Sequence, residues 1–455
     1  MSISKENFIE YYVEQTNRGN VSLFLGAGVS ASTGLPSWSL LLEPCAKQMG
    51  VSLDGNQDLY LLAQYYANEY GYSALKRVIN DSLNRINYES TLVDKLLALD
   101  FKSIWTTNFD RVIEQNLTRK KVLTNSIYDD KDLPNTTGHN RVSVYKLNGD
   151  ISNLDRIVIT QRDIENYSGN HEMLLTFFRR ELVVNSFLFL GYSFTDDVVL
   201  SCLASVNRCL QDSANYHFTI LKRNDTPEFL HFVKDLETRY HIRVLLINEY
   251  NELPEILRDL REAINRKNVF FSGVFERLPS EEDQFAETLC RELSNALLEE
   301  QHRIYTGYGR NFGNYLAGSS VQYLLEHNME VDRYLIMRPF LKSMTADEKR
   351  NHRDMMISNC KFAIFMFGQS PKGDTYINSS GMLKEYELAK ERGKIIIPVG
   401  CTGYSAKTIW DDVRNHITLY PHLEKYIDIL GCDFHMISPK QLTKTILQII
   451  DDCNY

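Results

Sequence analysis

Four short polar segments, each at the end of an apolar run of strand length, carry the side chains best suited to binding a nucleotide. The segments are residues 26–38 (GAGVSASTGLPSW), 106–110 (TTNFD), 145–150 (YKLNGD) and 190–197 (LGYSFTDD). Glycines beside a strand let the backbone approach a pyrophosphate closely, and free N–H groups at a helix start supply positive potential. Because the carboxyl ends of parallel strands share one edge of a sheet, we expect the four segments to form one site.

Each segment taken alone has a simpler structural interpretation. Gly26 and Gly28 are compatible with a tight strand-to-helix turn that holds no ligand. Asn108 or Asp110 can act as a helix cap by accepting N–H bonds at a helix start. Four polar turns after four candidate strands favour the binding interpretation, since a parallel sheet would bring them together.

Apolar runs and helical patterns alternate along the chain, which predicts parallel sheets with helices on both faces. In the first half the helical patterns include 39–49 and 58–83, and the strand candidates are 21–25, 102–106, 142–147, 186–190, 217–221 and 243–247. An amphipathic helix at 253–266 precedes a long helix at 281–300 and further strand candidates at 269–271, 303–306, 333–337, 362–367 and 394–399. We therefore expect two α/β domains, residues 1–268 and 269–455.

The composition excludes several other classes of protein. The chain has 455 residues with 43% apolar and 24% charged side chains, which argues against a disordered or fibrous protein. Its 50 basic and 59 acidic residues give a net charge of −9, whereas phosphate contacts to nucleic acid need clustered Lys and Arg. No apolar run approaches the roughly 20 residues that span a bilayer, and the polar start does not resemble a signal peptide. We expect a cytoplasmic protein that binds neither nucleic acid nor membranes.

The order of the four segments resembles the sirtuin-like (SIR2) NAD-binding domain, over residues 8–265. The resemblance implies a Rossmann-like parallel sheet with a smaller helical insertion, and NAD as the ligand. It also implies that Asn108 and Asp110 lie near the nicotinamide ribose and carboxamide, and that Ser193 contacts the adenosine side. The NAD contacts implied by the family, including the pyrophosphate-binding glycine turn, are Gly26, Ala27, Gly28, Ser30, Gly34, Pro36, Thr107, Gly191 and Ser193.

The chain departs from this family at position 148, where Asn148-Gly149 replaces the family's His-Gly. In the family that histidine is the general base beside the nicotinamide ribose. An asparagine amide can hydrogen-bond a ribose hydroxyl, but it does not accept a proton near neutral pH. Two explanations stay open: an engineered His→Asn change, favoured because the other motifs are intact, or a natural relative with weakened or lost catalysis. Asn148 joins Asn108 and Asp110 in the predicted catalytic centre.

The cysteine spacing bears on the type of reaction. The eight cysteines, at 45, 202, 209, 290, 360, 401, 432 and 453, contain no C-x₂-C pair, whereas sirtuin-family deacylases carry a zinc ribbon with two such pairs. We therefore expect free thiols and no metal. The implied reaction ends with water on the ribose C1′ and releases nicotinamide and ADP-ribose. A dry site with fixed amides would stabilise its oxocarbenium-like transition state.

The second half carries another set of polar and glycine-containing segments. Arg353 lies in a helical pattern, Lys372 in a turn, and residues 381–385 (GMLKE) open a helix; for these charges the alternative is an ordinary solvated surface. Together the segments resemble the SLOG family of Rossmann-like sensors, which is related to nucleotide phosphoribohydrolases. The P-G-G turn of those hydrolases reads Asn-Ser-Ser at 378–380, which favours sensing over hydrolysis. The implied signal-binding residues are Ser272, Gly273, Gly307, Tyr308, Arg353, Lys372 and Glu385.

A sirtuin-like domain followed by a SLOG domain resembles the NAD-consuming effectors of the bacterial Thoeris anti-phage defence system. The resemblance implies that a TIR-domain partner makes a cyclic ADP-ribose isomer on infection and that this signal binds the second domain. It further implies a tetramer or filament whose rearrangement opens the NAD site and depletes cellular NAD. Two other hypotheses stay open: a sensor or scaffold that binds NAD without cleaving it, and a phosphoribohydrolase in residues 269–455.

Overall fold

The chain divides into two units, each built around its own parallel β-sheet. The computed structural model describes residues 3–53, 57–83, 88–99, 101, 103–136 and 142–454. The units comprise Met1–Ala263 and Ile264–Tyr455. The predicted α/β class with two Rossmann-like sheets is confirmed, while the predicted domain boundary at residue 268 stays a prediction.

The first unit contains a seven-stranded sheet in which neighbouring strands run parallel. Its strands are β1 (Val21–Leu25), β2 (Ser103–Thr106), β3 (Thr124–Ile127), β4 (Val142–Lys146), β5 (Ser186–Leu190), β6 (His217–Lys222) and β7 (Ile242–Ile247). The strand order is β3-β4-β2-β1-β5-β6-β7. All five residues of β5 are buried. Since successive side chains point to opposite faces, other elements cover both faces there, which explains the continuous apolar run SFLFL.

The helices of the first unit connect these strands. They are α1 (Lys5–Asn17), α2 (Ala27–Ala31), α3 (Trp38–Gln48), α4 (Leu59–Tyr70), α5 (Tyr72–Leu83), α6 (Thr91–Leu97), α7 (Val112–Arg119), α8 (Gln161–Glu165), α9 (Tyr167–Asn170), α10 (Glu172–Val184), α11 (Asp197–Leu210), α12 (Pro227–Arg239) and α13 (Leu253–Asn265). The Ser37 and Asp58 side chains accept N–H bonds at the starts of α3 and α4. The predicted helical run 58–83 contains two helices because Gly71 adopts φ +88° between them. Helices α3 to α6, between β1 and β2, form the predicted helical insertion.

Two strand predictions differ from the structure. The edge strand β3 was not predicted because its sequence, TNSI, is polar and only Ile127 is buried, so it lacks the apolar signal of a strand. In the second unit, residues 333 and 334 end a short helix, and the strand begins at Leu335. Lys102, which belongs to the predicted strand 102–106, lies outside the described residues.

The second unit contains a five-stranded parallel sheet and a two-stranded hairpin. The strands are β8 (Asn268–Val274), β9 (Arg303–Thr306), β10 (Leu335–Met337), β11 (Phe362–Phe367), β12 (Gln369–Lys372), β13 (Thr375–Asn378) and β14 (Ile395–Val399). The helices are α14 (Ser280–Glu299), α15 (Arg310–Glu326), α16 (Val331–Tyr334), α17 (Ala346–Ile357), α18 (Ser380–Glu391), α19 (Tyr404–Asn415), α20 (Ile427–Leu430) and α21 (Pro439–Asp452). The sheet order is β10-β9-β8-β11-β14, and β12 pairs antiparallel with β13. All six residues of β11 are buried, so this sheet is also covered on both faces.

The strand order reverses at the first strand of each sheet. In the first unit the chain continues from β1 to β2 on one side of β1 and returns with β5 on the other. In the second unit β8 lies in the same way between β9 and β11. Ligands of open α/β sheets bind at such points, beside the carboxyl ends of the strands. The topology therefore favours binding at the turns that follow β1 and β8.

Candidate functional site

A cleft of about 1070 Å³ lies at the carboxyl ends of β1, β2, β4 and β5. Residues of the segments 27–39, 107–110 and 190–196 line it together with Asn148, and the helical insertion adds side chains such as Tyr60. The four polar segments singled out in the sequence meet here. The predicted site residues of this unit all line the cleft except Gly26, which is buried, and Gly34, which is exposed.

The glycines at the ends of β1 and β5 are explained by direct contact between the two turns. The Gly26 N–H donates to the Leu190 carbonyl and the Gly28 N–H to the Gly191 carbonyl, both at 2.9 Å. A Cβ at Gly28 would lie 2.9 Å from the Gly191 Cα, and one at Gly26 would overlap the Gly191 carbonyl oxygen. The Val29 N–H donates to the Gly26 carbonyl. These three N–H groups are bonded within the protein, so the expectation of free N–H groups for a pyrophosphate is not met at these positions.

Asn108 is held at the end of β2 by bonds on both its backbone and its side chain. Its backbone N–H donates to the Thr106 hydroxyl at 2.9 Å, and that hydroxyl donates to the Leu25 carbonyl at 2.7 Å. Its side-chain amide donates to the Ser30 hydroxyl at 3.0 Å. The turn after β2 is thereby tied to β1 and α2. An amide of fixed orientation in the cleft can hydrogen-bond a carboxamide or a ribose hydroxyl.

A fully buried lysine, Lys146 at the end of β4, stabilises the turn that carries Asp110. Its ammonium donates to the backbone carbonyls of Phe109 and Asp110 and pairs with Asp150 at 2.7 Å and Glu114 at 3.4 Å. Burial alone would lower the pKa of Lys146, but the carboxylates of Glu114, Asp150 and Asp110 outweigh burial and raise the pKa. The Asp110 side chain accepts a backbone N–H at 3.0 Å at the start of α7, which is the capping role that the sequence left open.

Asn148, Tyr60 and Asp196 meet in the cleft. The Asn148 amide nitrogen lies 3.4 Å from the Tyr60 hydroxyl and 3.4 Å from Asp196 Oδ2, and the Tyr60 hydroxyl donates to the same Oδ2 at 3.4 Å. Asn148 is 4% exposed and Asp196 is 9% exposed. The Asn148 Oδ1 has no hydrogen-bond partner among the described residues, although buried polar atoms are nearly always paired. This buried, unpaired acceptor on a cleft-lining residue could bond a ligand hydroxyl once it becomes accessible.

The polar partners of Asp196 are neutral groups. Its Oδ1 accepts the backbone N–H groups of Val198 at 3.0 Å and Val199 at 3.4 Å, which caps α11, while Oδ2 contacts Asn148 and Tyr60. Burial raises the pKa of Asp196 above its ordinary value, and these hydrogen bonds only partly oppose the shift. Burial and the Asp196 charge also raise the pKa of Tyr60.

Sequence reasoning missed three residues of this cleft. Asp196 stands inside the segment LGYSFTDD but was given no role. Trp38 ends the segment 26–38, and its ring packs 5.6 Å, centroid to centroid, from the rings of both Tyr60 and Phe109. Tyr60 comes from α4 of the insertion, where no motif marks it. Proximity to a motif was thus a signal for Asp196 and Trp38, while Tyr60 is identified by the fold alone.

In the second unit, three predicted signal-binding residues form one buried hydrogen-bonded cluster. The Ser272 hydroxyl donates to Glu385 Oε2 at 2.5 Å, and the Arg353 guanidinium donates to Glu385 Oε1 at 3.2 Å. The guanidinium also lies over the Phe340 ring, 4.7 Å from its centroid. Burial raises the pKa of Glu385, and the bonds from Ser272 and Arg353 oppose this shift. We call these three residues the Arg353–Glu385–Ser272 cluster.

Gly273 and Gly307 lie against aromatic rings near this cluster. A Cβ at Gly273 would approach the Phe312 ring at 2.6 Å, and a Cβ at Gly307 would approach the Phe340 ring at 2.8 Å. Either approach is closer than a real Cβ tolerates, so packing alone explains why a glycine stands at each position. The predicted contact of these glycines with a signal stays a prediction.

Tyr308 and Lys372 are the more exposed of the predicted signal-binding residues. Tyr308 is 37% exposed, and its hydroxyl donates to Asn314 Oδ1 at 2.7 Å. Lys372 is exposed at the end of β12. In the part of the chain that the structure describes, Lys372 forms no ion pair with Glu385. The structure therefore joins Arg353, but not Lys372, to the cluster.

The structure also shows the state of the cysteines and bears on metal binding and on membrane-spanning helices. All eight cysteines are free thiols, as the sequence predicts. The described residues contain no group of three or more His, Cys, Asp or Glu side chains that could hold a metal ion. Among these same residues, no helix combines the length and apolar composition that crossing a bilayer requires.

Comparison with known proteins relates both halves of the chain to families. Residues 102–245 match the SIR2-like domain, and residues 252–453 match the Sir2- and TIR-associating SLOG family. The chain is similar to the NAD(+) hydrolase ThsA of Bacillus cereus strain MSX-D12, at 30% identity over an alignment of 468 positions that covers 98% of both chains. It is also similar to the NAD(+) hydrolase ThsA of Enterococcus faecium, at 28% identity with 92% of both chains covered. Defense-associated sirtuin 2 of Bacillus subtilis is 25% identical over 219 residues, which span 47% of this chain and 22% of that protein.

Proposed function

The chain belongs to the family of the NAD(+) hydrolases ThsA, and from this premise we propose that it is an NAD glycohydrolase of bacterial anti-phage defence. The proposed reaction converts NAD and water into nicotinamide and ADP-ribose. The observation that carries the proposal is the convergence of Asn108, Asp110 and Asn148 in one cleft where the strand order reverses. Similarity over nearly the full length of NAD(+) hydrolases supports the same reaction.

The cleft suits a dinucleotide in size and in chemistry. Its volume of about 1070 Å³ stands at the upper end of ordinary ligand sites, roughly 300–1,000 Å³. We place the nicotinamide ribose beside Asn108 and Asn148, where the unpaired Asn148 Oδ1 would accept a ribose hydroxyl. The adenosine end would extend toward Ser193, which lines the same cleft.

Neutral dipoles of fixed orientation favour cleavage of the bond between nicotinamide and ribose. As the bond between nicotinamide and ribose breaks, positive charge develops on the ribose, and oriented amide and hydroxyl dipoles stabilise it without reorganising. The Asn108 amide already has a fixed orientation through its bond to Ser30. Asn148, at the position of the family's histidine, can orient the ribose but cannot take its proton. The proposed activity of this cleft is compatible with either origin of Asn148, an engineered change or a natural one.

For the second unit we propose binding of a cyclic ADP-ribose isomer made by a TIR-domain partner protein. The match to the Sir2- and TIR-associating SLOG family supports this role. Arg353 would pair with a pyrophosphate, and Glu385 would accept ribose hydroxyls. The signal would then favour an active tetramer or filament of this chain in the cytoplasm, and it can do so only through a higher affinity for that assembly.

A catalytically inactive sensor or scaffold is the second candidate. The observation that favours it is Asn148 itself, because an asparagine cannot replace the proton-accepting histidine. In that case NAD would occupy the cleft without being cleaved, and assembly would be the output.

Nicotinamide release tests the two candidates. The full chain and its Asn148→His variant are incubated with NAD, with and without a panel of cyclic ADP-ribose isomers, and nicotinamide is measured by chromatography. We expect the signal to increase nicotinamide release by the Asn148→His variant. NAD binding without release from either form would establish the scaffold instead.

Two arginine variants test the sensing role within the same assay. Arg353→Ala should abolish the response to the signal. Arg350→Ala is the matched control, because Arg350 lies on the same helix but is 66% exposed and pairs with Glu391. An undiminished response in the Arg353→Ala variant would contradict the role of Arg353.

A further inference from the structure

We propose that the Asp196 carboxylate accepts the proton of the attacking water in this chain, in place of the histidine that position 148 lacks. This inference rests on the proposed NAD hydrolysis and concerns the same cleft. Asp196 Oδ2 lies 3.4 Å from the Asn148 amide nitrogen, so a carboxylate stands one hydrogen bond away from the position of the family's base. Both residues line the cleft.

Asp110 also lines the cleft, but its surroundings differ from those of Asp196. The buried Lys146 ammonium interacts electrostatically with Asp110 and donates to its backbone carbonyl. Asp196 instead contacts an amide, a hydroxyl and two backbone N–H groups. Asp196 is therefore a cleft carboxylate in direct contact with the residue at the position of the family's base.

The titratable groups that interact with Asp196 matter because a charged neighbour would change its pKa. Among the described residues, groups that interact electrostatically with Asp196 include Tyr60 from α4, Tyr167 from α9, Tyr192 from the turn after β5 and Cys202 from α11. Burial raises the pKa of all four groups, so each is neutral at pH 7. Burial likewise raises the pKa of Asp196, which moves it toward the range in which general bases work best.

The proton transfer completes a balanced hydrolysis. The bond between C1′ and the pyridine nitrogen breaks, and its electron pair stays on the nitrogen, which neutralises the nicotinamide ring. The water oxygen forms the new bond to C1′, and the water proton passes to Asp196 and from there to solvent. Asn148 and Tyr60 keep their protonation states throughout and serve as positioning residues for the carboxylate and the ribose. The products are nicotinamide, ADP-ribose and one proton.

Asp196→Asn removes the proton acceptor with little change in shape. Asparagine is an equally good cap for α11 and still hydrogen-bonds Tyr60, but it cannot take a proton. Asp197→Asn is the matched control, because it removes the same charge from an exposed neighbour that is outside the cleft lining. The full chain is assayed for kcat and KM with NAD and cyclic ADP-ribose isomers, and its NAD affinity is measured separately by calorimetry.

We expect the unsubstituted chain to release nicotinamide slowly and Asp196→Asn to lower its kcat by about 100-fold, the usual contribution of a general base. The affinity for NAD should be unchanged, and the control should keep full activity. The acidic limb of the profile of kcat/KM against pH should lie above the ordinary aspartate pKa in the unsubstituted chain and in the control, and Asp196→Asn should remove it.

The Asn148→His background separates this inference from the proposed function. With a histidine at 148 as the base, Asp196→Asn should lower kcat much less than it does in the chain that carries Asn148. Nicotinamide release by the Asn148→His variant alone, or equal kcat of the chain and its Asp196→Asn variant, would overturn the role of Asp196 and leave NAD hydrolysis standing. An absence of release from every variant would overturn both.

Discussion

Asp196 in the first unit and Glu385 in the second are both buried carboxylates: Asp196 lines the same cleft as the turn after β1, and Glu385 bonds Ser272 on β8. Burial raises the pKa of both groups. They differ in their partners: Glu385 is bonded to Arg353 and Ser272, whereas Asp196 contacts neutral groups next to the unpaired Asn148 Oδ1. The first sheet edge thus keeps a buried acceptor unpaired, whereas the Arg353–Glu385–Ser272 cluster of the second pairs the Glu385 carboxylate internally.

This difference suits the two proposed roles. A catalytic cleft must hold groups whose bonding is completed only by the substrate or the transition state. A sensor site with an internal ion pair exchanges one set of bonds for another when its ligand binds, so the ligand can bias a two-state equilibrium. The first comparison to test is therefore how each carboxylate responds when its partners are removed.

The largest effect is expected in the second unit, where Arg353→Leu would leave Glu385 buried without its cation. Removing one partner of a buried pair typically costs about 3–5 kcal/mol of unfolding free energy. The Arg353 and Glu385 side chains are only 12% and 11% exposed, so solvent screens them little. Denaturant titration with hydrogen exchange on β11 measures the loss. The Arg353→Leu/Glu385→Gln double variant should recover part of it, and an equal loss in both variants would show that the pair is not coupled.

The next effect concerns catalysis in the first unit. Asn108→Ala removes an amide that is oriented by Ser30, and the loss of one such oriented dipole lowers kcat by about 100-fold. Nicotinamide release by the Asn148→His variant with and without this second change measures it. Asn170→Ala, an exposed asparagine on α9, is the control and should have no effect. Full activity of the Asn108→Ala variant would remove Asn108 from the catalytic centre.

Glycine substitutions compare the turns after the first strand of each sheet. Gly26→Ala would push a methyl group into the Gly191 backbone, which has no freedom to rotate away. Gly273→Ala would meet the Phe312 ring at 2.6 Å, and a smaller side chain can relieve that contact. Overpacking of this kind costs about 1–3 kcal/mol, measured by thermal unfolding. Phe312→Leu should rescue Gly273→Ala, whereas Gly26→Ala should have no equivalent single rescue; failure of the Phe312→Leu rescue would contradict this distinction.

The smallest expected effect is a change in Tm that differs in size between the two units. Because the pKa of Asp196 is higher in the folded than in the unfolded chain, its contribution to stability is present below the unfolded pKa and is lost as pH rises through the folded pKa. At pH 7 the charged carboxylate of Asp196 therefore lowers the free energy of unfolding. Asp196→Asn should raise Tm relative to the Asp197→Asn control.

Burial raises the pKa of Glu385 as well, but the bonds from Ser272 and Arg353 oppose this shift, so Glu385→Gln should raise Tm at pH 7 less than Asp196→Asn does. The two variants are matched in chemistry, because each replaces a buried carboxylate with its amide. A rise in Tm for Glu385→Gln that equals or exceeds the rise for Asp196→Asn would contradict the contrast between the two sheet edges.

The strands and turns that bear the site were predictable because they carry strong local signals. Apolar runs such as 186–190 give buried parallel strands, and the polar segments after them fall on one sheet edge by topology. The contribution of Tyr60 was not predictable, since it depends on how α4 of the insertion packs against the sheet. The orphaned Asn148 Oδ1 and the internal pairing of Glu385 are also tertiary properties, set by distances between residues far apart in the chain. The glycine turn was located correctly, yet its N–H groups bond the neighbouring turn.

A crystal structure of the full chain with NAD tests the central claim most directly. We expect the nicotinamide ribose in the first-unit cleft, with one hydroxyl bonded to Asn148 Oδ1 and C1′ open to a water that contacts Asp196. NAD bound elsewhere, or bound with its adenosine ribose at Asn148 and Asp196, would contradict it.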